Sequence, residues 1–376
     1  VTGEDDGLVE MARARLEHLE RIWSRFLPDS ELSRANASAG TWTPISDETV
    51  LLVERALLAR DRTGGLYDPT RLQDVLEAGY RRSFEELGHD DGDGPSGREP
   101  SRPAVDASHV VDLDVAGPAL RVAEGAGFDS GGIGKGTAAD LVVEELVTAG
   151  AAGACVNVGG DLRVAGVGPA DGDWIVAVED PRDPAGPPVV ELVLADGAVA
   201  TSSRCRRRWT GPDGTPAHHL IDPRTGRPAQ TEVLAATVVA AEGWQAEALA
   251  KAAFLSGPSG LAACLEPAGA TGLLVTGREV IVAPGLDVGR VCRRRRTGIG
   301  RRALHVLAGE DAAAERGPRQ QADAVVAGGG QQLALCLPAS SEYSTCAETG
   351  TVMLPSARPR SATAASCHPS GATRPP

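Results

Sequence analysis

The residues best suited to chemistry gather around one stretch, Asp129-Ser130-Gly131-Gly132-Ile133-Gly134-Lys135-Gly136-Thr137. Four glycines within positions 131–136 cost backbone entropy, and so mark a place where the chain must take φ > 0 or come very close to another group. Beyond Thr137 the apolar positions Ala138, Leu141, Val142, Leu146 and Ala149 recur at helical spacing, with Gly150 placed just past the end. The stretch therefore leads into a helix N-terminus, whose free N–H groups and positive dipole end suit an anion such as phosphate. It is not a P-loop, because Gly136 separates Lys135 from Thr137, and its glycines are spaced by twos rather than as G-x-G-x-x-G. An ordinary glycine-rich turn is the alternative.

Lys135 and Lys251 are the two lysines of the chain; all other members of its 37 Lys+Arg are arginine. Where arginine is the default, a retained lysine suggests a site that wants a compact point charge. Lys251 stands four residues after Glu247 in a segment read as helix, which places the two on one face. The plain reading of such a pair is a surface salt bridge worth a few tenths of a kcal/mol. His218 and His219 are adjacent, so on a strand they point to opposite faces and at most one can look into a given site. Tyr67-Asp68-Pro69 sets an aromatic beside a carboxylate, although Asp-Pro also starts turns. Gly159-Gly160-Asp161 is a second point of close backbone approach, and Thr201-Ser202-Ser203 sets three hydroxyls after a short strand.

The elements that must position these groups follow from periodicity. Leu8, Ala12, Leu16, Leu19, Trp23 and Phe26 form one stripe of an amphipathic helix that Pro28 ends, and a second helix runs from about Asp47 to Arg62 behind Ser46 as N-cap. Residues 29–36 are polar and turn-rich, and read as an ordinary loop or a ligand-facing segment. Strands are expected near Val110 to Val115, Ala119 to Val122, Cys155 to Val158, Trp174 to Val178, Val189 to Leu194, Ala198 to Thr201, Val233 to Ala240, Gly272 to Val275 and Glu279 to Ala283. A helix is expected from Trp244 to Leu255, and residues 88–104 read as a surface loop or disordered insert.

Composition narrows the function classes. The 376 residues carry a formal charge of −14, and because residues 287–376 hold 12 arginines against 7 acids, the acidity lies in residues 1–286. An acidic body argues against a nucleic-acid partner. No unbroken apolar run approaches the roughly 18 residues of a membrane span, so no transmembrane segment is expected. Cys155, Cys205 and Cys264 are far apart and no C-x-x-C occurs, which argues against structural zinc and a disulfide framework. As it stands the chain reads as cytoplasmic, and as exported or membrane-attached if an N-terminal signal precedes Val1.

Taken in order, Ser30-Glu31-Leu32-Ser33-Arg34, Gly64-Gly65-Leu66-Tyr67-Asp68-Pro69-Thr70, the stretch 129–136, Asn157-Val158-Gly159-Gly160-Asp161, Ala200-Thr201-Ser202, His219-Leu220-Ile221-Asp222-Pro223-Arg224-Thr225-Gly226 and Ala246-Glu247-Ala248-Leu249-Ala250-Lys251 resemble the ApbE family of FAD:protein FMN transferases. The resemblance spans roughly residues 8–286. It implies a T-fold-like α+β architecture and an enzyme that binds FAD, cleaves its pyrophosphate and attaches FMN through a phosphoester to a Thr or Ser hydroxyl of a target protein, releasing AMP. By position in the family motifs, Tyr67, Asp68, Asp129, Lys135 and His219 contact FAD, with the Tyr67 ring offered for stacking on the isoalloxazine, and His219 serves the transfer. Gly132, through its carbonyl, and Glu247 fall at ligand positions for Mg²⁺.

One departure concerns the metal. The family motif has Asp where Glu247 stands and Thr where Lys251 stands, and a protonated lysine cannot ligate a cation. Either Lys251 supplies the positive charge in place of Mg²⁺, or the ion is displaced and held by Glu247 with waters. The resulting expectation is an α+β protein of mostly antiparallel sheet with packed helices, comprising a transferase domain over 1–286 and an Arg/Ala/Gly/Pro-rich tail over 287–376 that reads as disordered. A protein that keeps FAD without transferring FMN, and a degenerate paralogue with a scaffold role, are the alternative functions.

Overall fold

A computed structural model describes residues 4–82, 110–170 and 172–288, together with 305–308, 332–337 and 351–353. The chain starts with helices α1 (Glu4–Trp23) and α2 (Glu31–Ala37), a short strand β1 (Thr43–Pro44), and helices α3 (Asp47–Arg62) and α4 (Leu72–Glu77). Hairpin β2 (Val111–Asp114) and β3 (Ala119–Val122) follows, then helix α5 (Gly134–Thr148) and strands β4 (Gly153–Val158), β5 (Asp161–Gly166), β6 (Trp174–Val178), β7 (Val190–Leu194) and β8 (Gly197–Ser203). Two small hairpins, β9 (Arg208–Thr210) with β10 (Pro216–His218) and β11 (Ile221–Asp222) with β12 (Arg227–Pro228), lead to β13 (Val233–Ala240) and α6 (Gly243–Leu265). Strands β14 (Thr271–Thr276) and β15 (Val280–Val282) complete the main sheet.

That sheet runs β15-β14-β13-β8-β5-β4, antiparallel across these six strands, with a seventh strand from the tail beyond β4; α5 and α6 lie on one face and the β6–β7 pair on the other. Strand β13 is apolar except for Thr237 because both faces are covered: Ala236 and Val238 pack with Leu249 and Phe254 of α6, while Val239 packs with Trp174, Leu192 and Leu273. Burying that apolar area against both neighbours is what holds the layers together, at roughly 25 cal/mol per Å² removed from water. The α+β class and the mostly antiparallel sheet expected from sequence are what the structure has.

The tail, expected to be disordered, falls for the most part outside the described residues. Its described segments, β16 (Asp287–Val288), β17 (His305–Ala308), β18 (Gln332–Leu337) and β19 (Thr351–Met353), run as short strands, β17 against β7, β18 parallel to β4 and β19 against β6. The insert at 88–104 also lies outside the described residues.

Three sequence readings change. Most of the 29–36 segment read as loop lies in α2 (Glu31–Ala37): the Ser30 hydroxyl accepts the Ser33 N–H at 3.0 Å, and the Glu31 carboxylate accepts from Ser46 N, Ser46 Oγ and Thr49 Oγ1. The polar residues that suggested a loop are caps, and they tie α2 to the start of α3. Helix α6 continues ten residues past Leu255, because Gly257 takes φ 66° at a kink and Pro258 begins a further helical run. Residues 243–268 are long and apolar enough to cross a membrane, which the search for an unbroken apolar run missed, since Gln245, Glu247, Lys251 and Ser256 interrupt it. Here α6 packs on β8, β13 and β14 as a core helix, with Glu247 only 1% exposed.

Candidate functional site: a cationic waist between two lobes

The site is held from behind by the N-terminal helices. Asn36 of α2 clamps the backbone just before the glycine stretch, its Nδ2 donating to the Phe128 carbonyl at 2.9 Å and its Oδ1 accepting the Phe128 N–H at 2.8 Å. Ser130 Oγ donates to the Trp23 carbonyl at the end of α1. With both flanks fixed, Asp129 accepts the Gly131 N–H at 3.0 Å and faces Arg25 Nε at 3.6 Å.

The glycines of the stretch serve packing within the protein. None of Gly131, Gly132, Gly134 and Gly136 has positive φ. A methyl on Gly136 would overlap the Gly243 carbonyl, and one on Gly243 would lie 2.5 Å from the Gly136 carbonyl oxygen. Helices α5 and α6 thus meet backbone to backbone at their N-terminal ends, close enough for the Asp140 carboxylate on α5 to accept the Gly243 and Trp244 N–H groups at 2.6 and 3.1 Å. Burial pushes the Asp140 carboxyl up to about 6, with those two N–H groups pulling the other way. A capping carboxylate supplied by another helix leaves no local signature, and Asp140 was not singled out from sequence.

The crossing brings Lys135, Glu247 and Lys251 together. Glu247 Oε1 lies 3.2 Å from Lys135 Nζ and 3.5 Å from Lys251 Nζ, and its Oε2 accepts the Gly136 N–H at 2.8 Å. Burial pushes the Glu247 carboxyl up, but the two ammonium groups and the N–H outweigh it and hold the group below its ordinary value. The Glu247–Lys251 pair is therefore no surface salt bridge. Lys135 also pairs with Asp161, which sits at the end of the β4–β5 hairpin and accepts the Thr201 N–H. Gly159 and Gly160, at φ 60° and 95°, make that hairpin turn, with Asn157 Oδ1 accepting the Gly160 N–H at 2.8 Å. Burial lowers Lys135 to about 8, opposed by Glu247 and reinforced by Lys251 and Arg207.

The adjacent histidines part as the strand rule requires. His218 is structural: Nε2 donates to the Ala229 carbonyl at 3.0 Å and Nδ1 accepts the Leu220 N–H, which pins β10 to the end of β12. His219 turns into the cleft, and its buried Nδ1 has no hydrogen-bond partner. Burial, with Arg207 and Lys251 nearby, holds His219 well below its ordinary value, so the ring is neutral at pH 7.

Two lobes meet at this waist and share Gly131, Lys135, Arg207, His219 and Lys251. The first is walled by Phe26, Tyr67, Tyr80, Leu220 and Leu255; Phe26 and Tyr80 meet edge to face at 5.8 Å, with the Arg25 guanidinium 4.3 and 4.5 Å from their ring centres. The second is lined by Gly159, Gly160, Thr201, Ser202, Ser203, Glu179 and Arg206.

Every residue singled out from sequence for FAD therefore borders the first lobe, but two differ from expectation in what they offer. Tyr67 is 3% exposed, its ring edge against Gly132, and its buried hydroxyl has no partner, so it presents little free face for stacking. Burial, then Glu247, Asp129 and Asp68, push that phenol well above its ordinary range, keeping it a neutral donor. Asp68 accepts from Thr70 N, Thr70 Oγ1 and Arg71 Nε and faces Arg60, so its carboxylate holds the turn and two arginines. Sequence reasoning missed the aromatic wall: Phe26 read as helix stripe, and neither Arg25 nor Tyr80 sits in a recognisable motif. It also missed Arg207, one of several arginines in an unpatterned run.

Gly132 and Glu247, expected at metal-ligand positions, both meet Lys251, and they do not fit a dication as arranged. Both Glu247 oxygens are engaged, and the Lys251 stem packs on Gly132, where a Cβ would lie 3.0 Å from Lys251 Cε. Among the described residues no group of three His, Cys, Asp or Glu could hold a metal ion.

Fold and site together define an α+β protein whose cleft sets an aromatic lobe, a cluster of cations and a neutral imidazole around one anion-binding point. Comparison with known proteins supplies the family. The profile of the ApbE family matches residues 2–274. A Treponema pallidum protein named FAD:protein FMN transferase is 30% identical over 269 residues, 64% of this chain and 69% of the relative. Among solved structures, the ApbE protein of Thermotoga maritima superposes with a TM-score of 0.63 at 26% identity, covering 75% of this chain and 90% of that one. The flavin transferase ApbE of Vibrio cholerae does so at 0.59 and 25%, covering 75% and 89%. The chain belongs to the ApbE family.

Proposed function

We infer that this protein is an FAD:protein FMN transferase, the activity for which the T. pallidum relative is named. FAD is the substrate that carries the FMN group, and a second protein accepts it.

The observation that carries the residue assignments is the waist itself, where Lys135, Lys251 and the His219 ring border the same space between the two lobes. The aromatic lobe takes the isoalloxazine end of FAD and the pyrophosphate lies at the waist beside Lys135. The acceptor hydroxyl, on a Thr or Ser of the target, approaches His219. Its oxygen attacks the phosphorus of the FMN half while His219 takes the proton. As the new P–O bond forms, the P–O bond to the AMP half breaks, and the electron pair leaves on the AMP phosphate, which ends with the proton. Neutral His219 suits this task because it must begin unprotonated. Residues 1–286 form the transferase domain in this reading.

The test is incubation with FAD and an acceptor polypeptide bearing a Ser/Thr-Gly-Ala-Ser/Thr sequence. Covalently fluorescent acceptor and an equal amount of AMP are expected. FAD bound without either product would identify a flavin-keeping protein, and no FAD binding a scaffold.

A further inference from the structure

We propose that in this protein Lys251, with Lys135 and Arg207, supplies the positive charge set against the departing phosphate, in the place where an ApbE-type site would otherwise set a divalent cation. The proposal rests on the transferase reading above.

Three observations carry it. The first is occupancy of the carboxylates. Glu247 Oε1 is shared by both ammonium groups at 3.2 and 3.5 Å, Oε2 is taken by the Gly136 N–H, and Asp161 is held by Lys135 and the Thr201 N–H. A dication entering here would displace both lysines from their anion and then sit within a few ångströms of them, where like charges in a poorly solvated site repel strongly. The second is the fixing of Lys251. Its stem lies against Gly132, which the Tyr67 ring edge also touches, and its ammonium faces Glu247 Oε1, so the side chain is held at both ends rather than waving in solvent. The third is the set of cations at the waist. Lys135, Lys251 and Arg207 all border the space that the two lobes share, where the pyrophosphate of FAD would lie, so three cations face it together. Cations fixed before the substrate arrives need no reorganisation when charge moves onto the leaving oxygen, which is how such groups lower a barrier. In the transfer step the P–O bond to the AMP half breaks and its electron pair goes to the AMP phosphate oxygen; Lys251 and Arg207 meet that charge, while His219 holds the proton of the acceptor hydroxyl.

The experiment uses the full chain, with FAD affinity read by titration and turnover read as AMP released in the presence of the acceptor polypeptide, each in EDTA and in Mg²⁺. Wild-type affinity and turnover should change by less than about threefold between the two conditions. Lys251→Met, which keeps the stem against Gly132 and removes the charge, should weaken FAD binding about tenfold or more in EDTA, the scale of one lost charge-assisted hydrogen bond. Its turnover should fall by about 10² or more. Lys251→Thr should lose activity in EDTA and regain it with Mg²⁺, and an unchanged circular dichroism spectrum shows that both variants are folded. Wild-type affinity or turnover that collapses in EDTA and returns with Mg²⁺ overturns the proposal, as does a Lys251→Met protein indistinguishable from wild type. If FAD binds but no AMP appears under either condition, the transferase reading falls. The titrations then decide the cation question alone: Mg²⁺-dependent FAD binding is against the proposal, and Mg²⁺-indifferent binding weakened in Lys251→Met is for it.

Discussion

Gly136 and Gly243 touch through their backbones, and that contact sets the distance between α5 and α6 on which the site depends. A side chain at either position overlaps main-chain atoms of the other helix, which cannot move as a rotamer can. Gly136→Ala should therefore destabilise by about 1 to 3 kcal/mol or more, the usual cost of overpacking. The same change should separate Lys135 from Glu247 and weaken FAD binding in whatever fraction folds. Thermal melting with FAD titration checks it, and an alanine variant with wild-type melting and affinity would show that the helices have slack.

His218 and His219 should fail differently. His219→Ala should leave FAD affinity within a few-fold of wild type and cut AMP release by about 10² to 10⁴, the usual contribution of a positioned base. His218→Ala removes a buried hydrogen bond to the Ala229 carbonyl, so it should cost about 1 to 3 kcal/mol of stability and little turnover in the folded protein. Equal kinetic losses from both would make the pair structural.

Lys135→Ala should weaken FAD binding by roughly 1.5 to 3 kcal/mol if its ammonium meets the pyrophosphate. It also leaves Asp161 and half of the Glu247 pairing without a cation, so melting temperature must be read beside affinity. Lys135→Arg restores charge without the compact shape and should recover stability more fully than binding. Unchanged affinity in Lys135→Ala would remove this residue from the site.

Asp140 gives a pH signature. Its folded value of about 6 lies above the ordinary 3.8, so between those pH values the folded state holds a proton that the unfolded chain has released. Its contribution to stability is complete below about pH 4 and disappears as pH rises through about 6. Asp140→Asn has no such proton. The wild type should therefore gain stability relative to Asp140→Asn by about 2 to 3 kcal/mol as pH falls from 7 to 4, measured by denaturant unfolding. A difference independent of pH would mean that Asp140 titrates normally in the folded protein.

Elements whose apolar periodicity is local were legible in the residue order alone. Strands Trp174–Val178 and Val233–Ala240 and helix Asp47–Arg62 lie where alternation, continuous apolar runs and the Ser46 cap place them. Residue order also determined that one histidine of the 218–219 pair at most could serve a site, because strand geometry alternates faces. Tertiary structure decided which one, through the Ala229 carbonyl eleven residues away. It decided too what the glycines are for: their composition announced a close approach, but the partner is Gly243, more than a hundred residues on, and no local pattern encodes a contact of that span. Glu247 and Lys251 show the same division. Their i, i+4 spacing was legible, whereas burial and the arrival of Lys135 from α5 turned a surface pair into a buried cluster of charge. Spacing along one helix fixes which side chains are neighbours; only the packing of a second helix against it fixes the dielectric in which they interact, and hence what they can do.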